Sequence, residues 1–456
     1  MDDDRRLLRR TADLAADFLG TLDERPVHPK IDLEDLARAI DVDLSAESTE
    51  PGLVIEQLAA AAEPGVVASQ SGRYSGFVVG SALPAALAAD WLSSAWDQCT
   101  GLVALGPSAL FMENTAGRWC LDLLGIPPTA SYAFVTGCQM AHVTCLAAAR
   151  QHVLAGAGWN LIEDGLAGSP PIRVLVGAAR HSTVDRALRF LGVGLAQIEI
   201  VGVDRFGRID ANALSVALAD GGGPTIVCAQ AGEVNTGSFD DLNAVADAVS
   251  GTEAWLHVDG AFGLWAAASP KLRHLVAGHD RADSWASDAH KWLNVPYDCG
   301  IAICAHPEPH FQAMTAEAPY YVRDQGEIRE SVDWTPDHSR RARGVTVYAA
   351  LRQLGRDGVA DLVERSCAHA RDFADGVSTL PGCEILNEVN LNQVLFRLGD
   401  DAATTATLAA VQADGDTWMS GTQWDGRPAI RVSVSSWRTT SGDIDRAVSA
   451  FRRNVS

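Results

Sequence analysis

Between residues 131 and 304 the chain alternates short apolar runs with helix-period stretches, and no other feature restricts the fold as strongly. The runs are Tyr132–Val135, Ile172–Val176, Ile198–Val201, Thr225–Cys228, Trp255–Val258, Ser284–Ala286 and Ile301–Cys304. Their interiors show little in/out polar alternation, so they suit strands buried on both faces. The stretches between them, such as those opening at Gln139 and Ser182, supply the covering helices. The expected fold is α/β, built on a large, mostly parallel sheet, with ligands bound at the carboxyl ends of its strands. After about residue 345 the pattern changes. Two helical stretches (345–354 and 358–378), strands over 383–386, 393–396 and 429–433, and a last helix from Asp443 predict a smaller α+β domain.

The first sixty residues differ from both. Leu7, Leu8, Leu14, Phe18 and Leu19 form a helical stripe, which Pro26 and Pro29 end. Asp32 is a candidate cap for a second helix carrying Leu33, Leu36, Ala37 and Ile40. Two short amphipathic helices cannot make a core alone, so they must dock on the body or on a second subunit, and packing across a twofold interface is the expectation taken forward. The domain expectation is therefore 1–60 helical arm, 61–345 large α/β domain and 346–456 small C-terminal domain.

Composition narrows the function. With 36 Lys+Arg against 58 Asp+Glu in 456 residues, the net charge is −22. Such a surface repels phosphate backbones and anionic lipid, so neither nucleic acid nor a membrane surface is expected as partner. An anionic ligand needs a local pocket of opposite sign. The nine cysteines are odd in number and include no C-x-x-C pair. Neither a disulfide framework nor a metal site is expected. The start, MDDDRRLLRR, lacks the apolar core of a secretory signal, and no apolar run is long enough to span a bilayer. A cytoplasmic location is expected.

Lysine occurs only at 30, 271 and 291. A reaction that needs an amine has three candidates. Lys291 stands out because Ala289, Trp292, Leu293 and Val295 surround it. A lysine desolvated in this way is expected to have a lowered pKa and to attack carbonyls. Asp259 sits just past the run Trp255–Val258, and Lys291 follows 32 residues later, just past the next run. An acid and an amine at neighbouring strand ends can face one cleft.

With their neighbours these residues resemble the pyridoxal-phosphate-dependent group II amino-acid decarboxylases, the aromatic-amino-acid and glutamate decarboxylase group. The matching pieces are His257-Val-Asp-Gly-Ala261, Asp288-Ala-His-Lys-Trp-Leu293, Pro296-Tyr-Asp-Cys299, Ala179-Arg-His-Ser-Thr-Val184, Gly237-Ser-Phe-Asp240 and Arg340-Arg341. The resemblance implies the aspartate-aminotransferase-like fold (fold type I), a homodimer, and pyridoxal 5′-phosphate held by Lys291 as a Schiff base. It further implies that Asp259 pairs with the pyridine nitrogen, that His181 stacks on the ring, and that Ala261 lies on the other face. The phosphate site falls at Thr136-Gly-Cys-Gln139, where Cys138 and Gln139 replace the usual small and hydroxyl residues. A helix start there supplies N–H groups to a phosphate. Asp288, His290 and Asn235 fill family positions that contact the phosphate.

The substrate side is expected to include Arg431 for the carboxylate and Phe77, Val78 and Trp292 as an apolar wall, which favours an aromatic or other apolar L-amino acid. The implied reaction is decarboxylation to CO2 and the amine. One position departs from the resemblance. Counting back from Trp334 and Arg340-Arg341, Ser331 occupies the place of a loop tyrosine that protonates the product. Other outcomes, among them aldehyde formation, carbon–carbon lysis and aminotransfer, stay open for that reason.

Overall fold

A computed structural model describes residues 2–323 and 328–455. All seven apolar runs are strands: β1 (Ser131–Val135), β2 (Arg173–Gly177), β3 (Ile198–Val201), β4 (Thr225–Gln230), β5 (Trp255–Asp259), β6 (Ser284–Asp288) and β7 (Gly300–Cys304). They form one sheet in the order β1-β7-β6-β5-β4-β2-β3. Every pairing from β6 through β5, β4 and β2 to β3 is parallel; β7 runs antiparallel to both its neighbours. The carboxyl ends of β1, β2, β4, β5 and β6 therefore share one edge. β1, β4, β5, β6 and β7 are buried along their whole length, as expected of a sheet with helices on both faces.

Two apolar layers cover the sheet. On one face the helix Cys138–Gly156 packs Ala141, Cys145 and Leu146 against Val174, Trp255 and Ala286. On the other, Leu175, Val227, Leu256 and Val258 meet Leu121, Leu124 and Val347. Alternate residues of one strand point to opposite faces, which is why Trp255 and Leu256 fall in different layers.

The C-terminal part carries an antiparallel sheet of β8 (Cys383–Ile385), β9 (Gln393–Leu398), β10 (Ser420–Trp424) and β11 (Arg427–Ser433), in the order β10-β11-β9-β8. Phe373, Phe396 and Phe451 form its aromatic core, with centroids 5.3–6.0 Å apart. The sequence reading missed β10. Its residues, Ser-Gly-Thr-Gln-Trp, lack an apolar run, and the strand exists because the Asp425-Gly426 turn, both at positive φ, folds it onto β11. The two expected helices over 345–378 run end to end as Arg343–Ser378, broken at Gly355, whose φ is 62°.

The N-terminal helices form as expected, at Asp2–Gly20 and Leu33–Ile40, followed by a third at Pro51–Ala62. Asp32 caps the second by accepting from the Glu34 and Asp35 N–H groups. No described residue of the three is buried within one chain. Leu8, Leu33, Ile40, Leu53, Val54 and Leu58 are exposed.

Candidate active site

Asp259 ends β5 and Asp288 ends β6, so the fold sets two carboxylates side by side at the sheet's carboxyl edge. Lys291 lies one turn past β6. Its Nζ is 3.0 Å from Asp288 Oδ2. The other Asp288 oxygen accepts the Cys138 N–H at 2.6 Å, the first N–H of the helix Cys138–Gly156. Asp288 thus ties the amine to a helix N-terminus, where a negative group is favoured. That link requires β7 and the Gly137 turn to touch. A Cβ on Gly300 would lie 2.3 Å from the Gly137 carbonyl carbon, so only glycine allows the approach.

The expected pKa of Lys291 is corrected here. Burial does pull the amine down, but Asp288 and, more weakly, Cys138 and Asp259 outweigh it, so its pKa is raised. Without a bound carbonyl compound the side chain is an ammonium ion. Asp259 shows the opposite balance. Burial pushes its carboxyl up, while His142, His181 and Lys291 hold it well below the usual carboxylate range. The carboxylate is oriented by the Ala261 N–H, donated to Oδ1 at 3.1 Å, and by His142 Nε2, 3.5 Å from Oδ2.

His181 caps the helix Ser182–Phe190. Its Nδ1 accepts the Thr183 N–H at 3.3 Å and lies 2.7 Å from Thr183 Oγ1, which leaves Nε2 as the ring's donor. Burial lowers its pKa. His290 Nδ1 accepts the Cys299 N–H at 3.0 Å, and the Tyr297 ring packs on it at 4.4 Å.

These groups line one cavity of about 220 Å³: Gly137, Cys138, Gln139, His181, Asp259, Ala261, Asp288, His290 and Lys291 all border it. A larger cleft of about 700 Å³ lies beside Asp204, Asp240 and His274. It holds none of the residues above and no lysine, so it offers no comparable chemistry.

Some expected residues lie elsewhere. The Asn235 amide donates to Glu233 and accepts from Thr422, and Asn235 does not border the cavity. Trp292 and Val78 are core residues, at 1% and 5% exposure. Trp292 follows Lys291 directly, and its indole turns inward toward Phe262. Cys138 aims its thiol at His142 and Asp259, so only its backbone faces the helix start. Asp288 is taken up by Lys291 and the Cys138 N–H. Ser331 is buried and donates to Glu113 at 2.7 Å, beside the Glu113–Arg340 ion pair. Phe77 is 56% exposed and stacks on Trp418, which also stacks on Tyr74. Arg431, on β11, reaches the Val234 carbonyl with Nη1, while its buried Nε has no partner among the described residues.

The chain matches the pyridoxal-dependent decarboxylase conserved domain over residues 34–399. The chain belongs to the pyridoxal-dependent decarboxylase family. The enzyme is 27% identical to an aromatic-L-amino-acid decarboxylase of Bacillus atrophaeus, covering 96% of this chain and 93% of that one. It is 23% identical to a 4-hydroxyphenylacetaldehyde synthase of Rhodiola rosea, over 95% and 91%. The structure of Oryza sativa TDC with PLP and tryptamine superposes with a TM-score of 0.93 at 24% identity, over 100% of this chain and 98% of that one. The expected fold type is thereby shown, as is pyridoxal phosphate as cofactor.

The site's own chemistry fits that cofactor. An amine and a carboxylate face one cavity, with His181 and Ala261 on its walls and a helix N-terminus at its end. The turn that opens the helix has no room to spare, since a Cβ on Gly137 would stand 3.1 Å from His290 Cε1. Gln139 leaves its buried Oε1 unpartnered among the described residues. The sequence reading missed Thr183, Gln230, Gly232, Val234 and Phe262 as lining residues. Gln230 was open to discovery, because it ends β4 at the same edge as Asp259, with which it pairs in register.

Proposed function

We propose that the enzyme decarboxylates an aromatic or similarly apolar L-amino acid, with Lys291 as the residue that holds the cofactor. One observation carries the reading: Lys291, Asp259, His181 and Ala261 border a single cavity that ends at a helix N-terminus. Pyridoxal phosphate, when bound, supplies a sink for the electron pair left on the α-carbon as a bond there breaks. Asp259, held ionised, keeps a proton on the ring nitrogen. His181 and Ala261, which border the same cavity, would confine the ring between them. The backbone at Gly137–Gln139 and the Nε2–H of His290 would hold the phosphate, while Asp288 positions Lys291. Burial brings the pKa of Arg431 down against the opposing pull of Glu233, and its Nη1 bonds the carbonyl of the cavity-lining Val234, a position suited to a substrate carboxylate.

The preference for an aromatic substrate rests on the stack of Tyr74, Trp418 and Phe77, with centroids 5.3 and 5.7 Å apart. Burial raises the pKa of the Tyr74 phenol, with Tyr297 as its next influence, and the Tyr297 ring packs on the cavity-lining His290 at 4.4 Å. We assign the exposed N-terminal apolar faces to a homodimer interface. Nine free thiols support a reducing, cytoplasmic setting.

A second reading has one observation in its favour. Ser331, at the loop-tyrosine position, is buried on Glu113, so it offers no acid to the product carbon. In that case molecular oxygen and water convert the same substrate to an aldehyde, with CO2, ammonia and hydrogen peroxide released. A panel of L-amino acids, with CO2, amine, aldehyde and peroxide measured together, decides. Amine equal to CO2 supports decarboxylation. Aldehyde and peroxide equal to CO2 establish the second reading. No CO2 from any aromatic amino acid overturns the substrate assignment.

A further inference from the structure

Trp255, His257 and Asp259 alternate along β5 and so share one of its faces, the face covered by the helix Cys138–Gly156. That helix contributes His142. Together with Ser284 at the start of β6, these residues form a polar file through an otherwise apolar layer. Trp255 Nε1 donates to Ser284 Oγ at 2.8 Å, Ser284 Oγ lies 2.9 Å from His257 Nδ1, and His257 Nε2 lies 2.9 Å from His142 Nδ1. His142 Nε2 then stands 3.5 Å from Asp259 Oδ2 and equally far from the Cys138 thiol, whose Sγ is 4.0 Å from Asp259 Oδ1. His142, His257 and Ser284 are 0% exposed, and none of them borders the cavity.

With the His142 Nε2–H given to Asp259, and the Cys138 thiol at 3.5 Å accepting rather than donating at that nitrogen, the donor count fixes one arrangement for neutral rings. Trp255 can only donate, and the Asp259 carboxylate can only accept. A neutral imidazole has one donor and one acceptor. Asp259 takes the His142 Nε2–H, so His142 Nδ1 must accept. His257 therefore carries its hydrogen on Nε2, and its Nδ1 must accept from the Ser284 hydroxyl, which in turn accepts from Trp255. Burial pushes His257 down to about 3, which keeps that ring neutral. All four hydrogens then point toward Asp259.

We propose that His142 and His257 are positioning residues for the reaction: the file from Trp255 through Ser284 delivers a fixed N–H to Asp259 and so holds the carboxylate in the state that serves the cofactor's ring nitrogen. This rests on the assignment of Asp259 given above. A short ladder of this kind is cooperative, each bond polarising the next. It also couples the two tautomers, because reversing the hydrogen of one ring alone leaves two donors or two acceptors facing each other.

The test uses the full-length chain labelled with ¹⁵N-histidine. Nitrogen-15 spectra assign the tautomers of His142 and His257, with His142→Asn and His257→Gln identifying the signals. The expected result is Nε2–H on both rings, with or without cofactor. A hydrogen on Nδ1 of either ring overturns the file. In the loaded enzyme, ¹⁵N-labelled cofactor reports whether its ring nitrogen is protonated. His142→Leu removes the donor; the protonated fraction should fall and kcat drop roughly tenfold with KM little changed, the loss of one charge-assisted hydrogen bond. His142→Asn, whose amide can still donate, should recover most of both. If Asp259→Asn deprotonates the ring nitrogen and His142→Leu does not, the file is structural only and the proposal fails while the assignment of Asp259 stands. If neither variant changes the nitrogen, the assignment of Asp259 itself fails. Where His142→Leu does not fold, the tautomers of the unaltered chain still decide.

Discussion

At the scale of single residues the site is an arrangement of opposed charges. Lys291 is the lysine of the cavity; Lys271 pairs with Glu364 at the surface, and Lys30 donates to the Asp414 carbonyl. Borohydride treatment of the loaded enzyme should therefore fix the cofactor to one peptide, the one containing Lys291, and labelling at Lys271 would refute the assignment. Asp259→Asn keeps the shape but removes the charge. Cofactor binding should weaken only modestly, while the chemical step slows by roughly 10²-fold or more, about 2.7 kcal/mol of barrier. Single-turnover kinetics measure it, and a rate within threefold of the unaltered enzyme removes Asp259 from the mechanism. Asp288 raises the pKa of Lys291, so removing its charge must lower it. Asp288→Asn should capture pyridoxal phosphate faster at neutral pH, and the pH midpoint of capture, followed by visible absorbance, should move down. An unchanged or higher midpoint contradicts the pairing at 3.0 Å.

Among the elements, the contact between β7 and the turn before the helix Cys138–Gly156 decides whether the phosphate end of the site forms. A methyl on Gly300 would strike the backbone of Gly137 at 2.3–2.7 Å, and neither partner is a side chain that can swing away. Gly300→Ala should cost about 1–3 kcal/mol of stability, as overpacking does, and weaken cofactor binding more than it weakens the fold. Urea midpoints of the free and loaded protein separate the two effects. A shift in neither shows that the sheet edge yields. The small sheet shows a different dependence. Its strand β10 relies on the Asp425-Gly426 turn rather than on apolar content, so its placement is a property of the hairpin.

At the level of the whole molecule, three N-terminal helices expose apolar side chains on a chain of net charge −22. Residues 22–27 are already built into the body: Arg73 donates to the Leu22 and Arg25 carbonyls, and Val27 N–H donates to Gly415. The helix Asp2–Gly20 is attached chiefly through Arg10, which pairs with Glu56, and through Arg25 under Phe18. Removing residues 1–20 should thus spare the fold of each chain and impair only its association. Sedimentation should show the full chain as a dimer and the truncated one as a weaker dimer or an aggregate. A truncated chain that is monomeric and fully active would show that the apolar face has another use.

Local pattern determined much of this protein. Short apolar runs bounded by turn residues read as strands of a buried sheet, and strand ends meet at its edge, so Asp259 and Lys291 were legible as one site, which the family resemblance extended to the Gly137–Cys138 turn. What the sequence could not settle were quantities that depend on neighbours distant along the chain. Burial alone lowers a lysine's pKa, but Asp288 reverses the sign at Lys291. Trp292 follows Lys291 and still points into the core, because one residue along an irregular turn swings the side chain to the other side. Asn235 spends its amide on Glu233 and Thr422. The alternation Trp255, His257, Asp259 was visible from the start. That His142 would meet it from a helix more than a hundred residues earlier was decided only by packing, since a hydrogen bond depends on distances no one-dimensional spacing encodes.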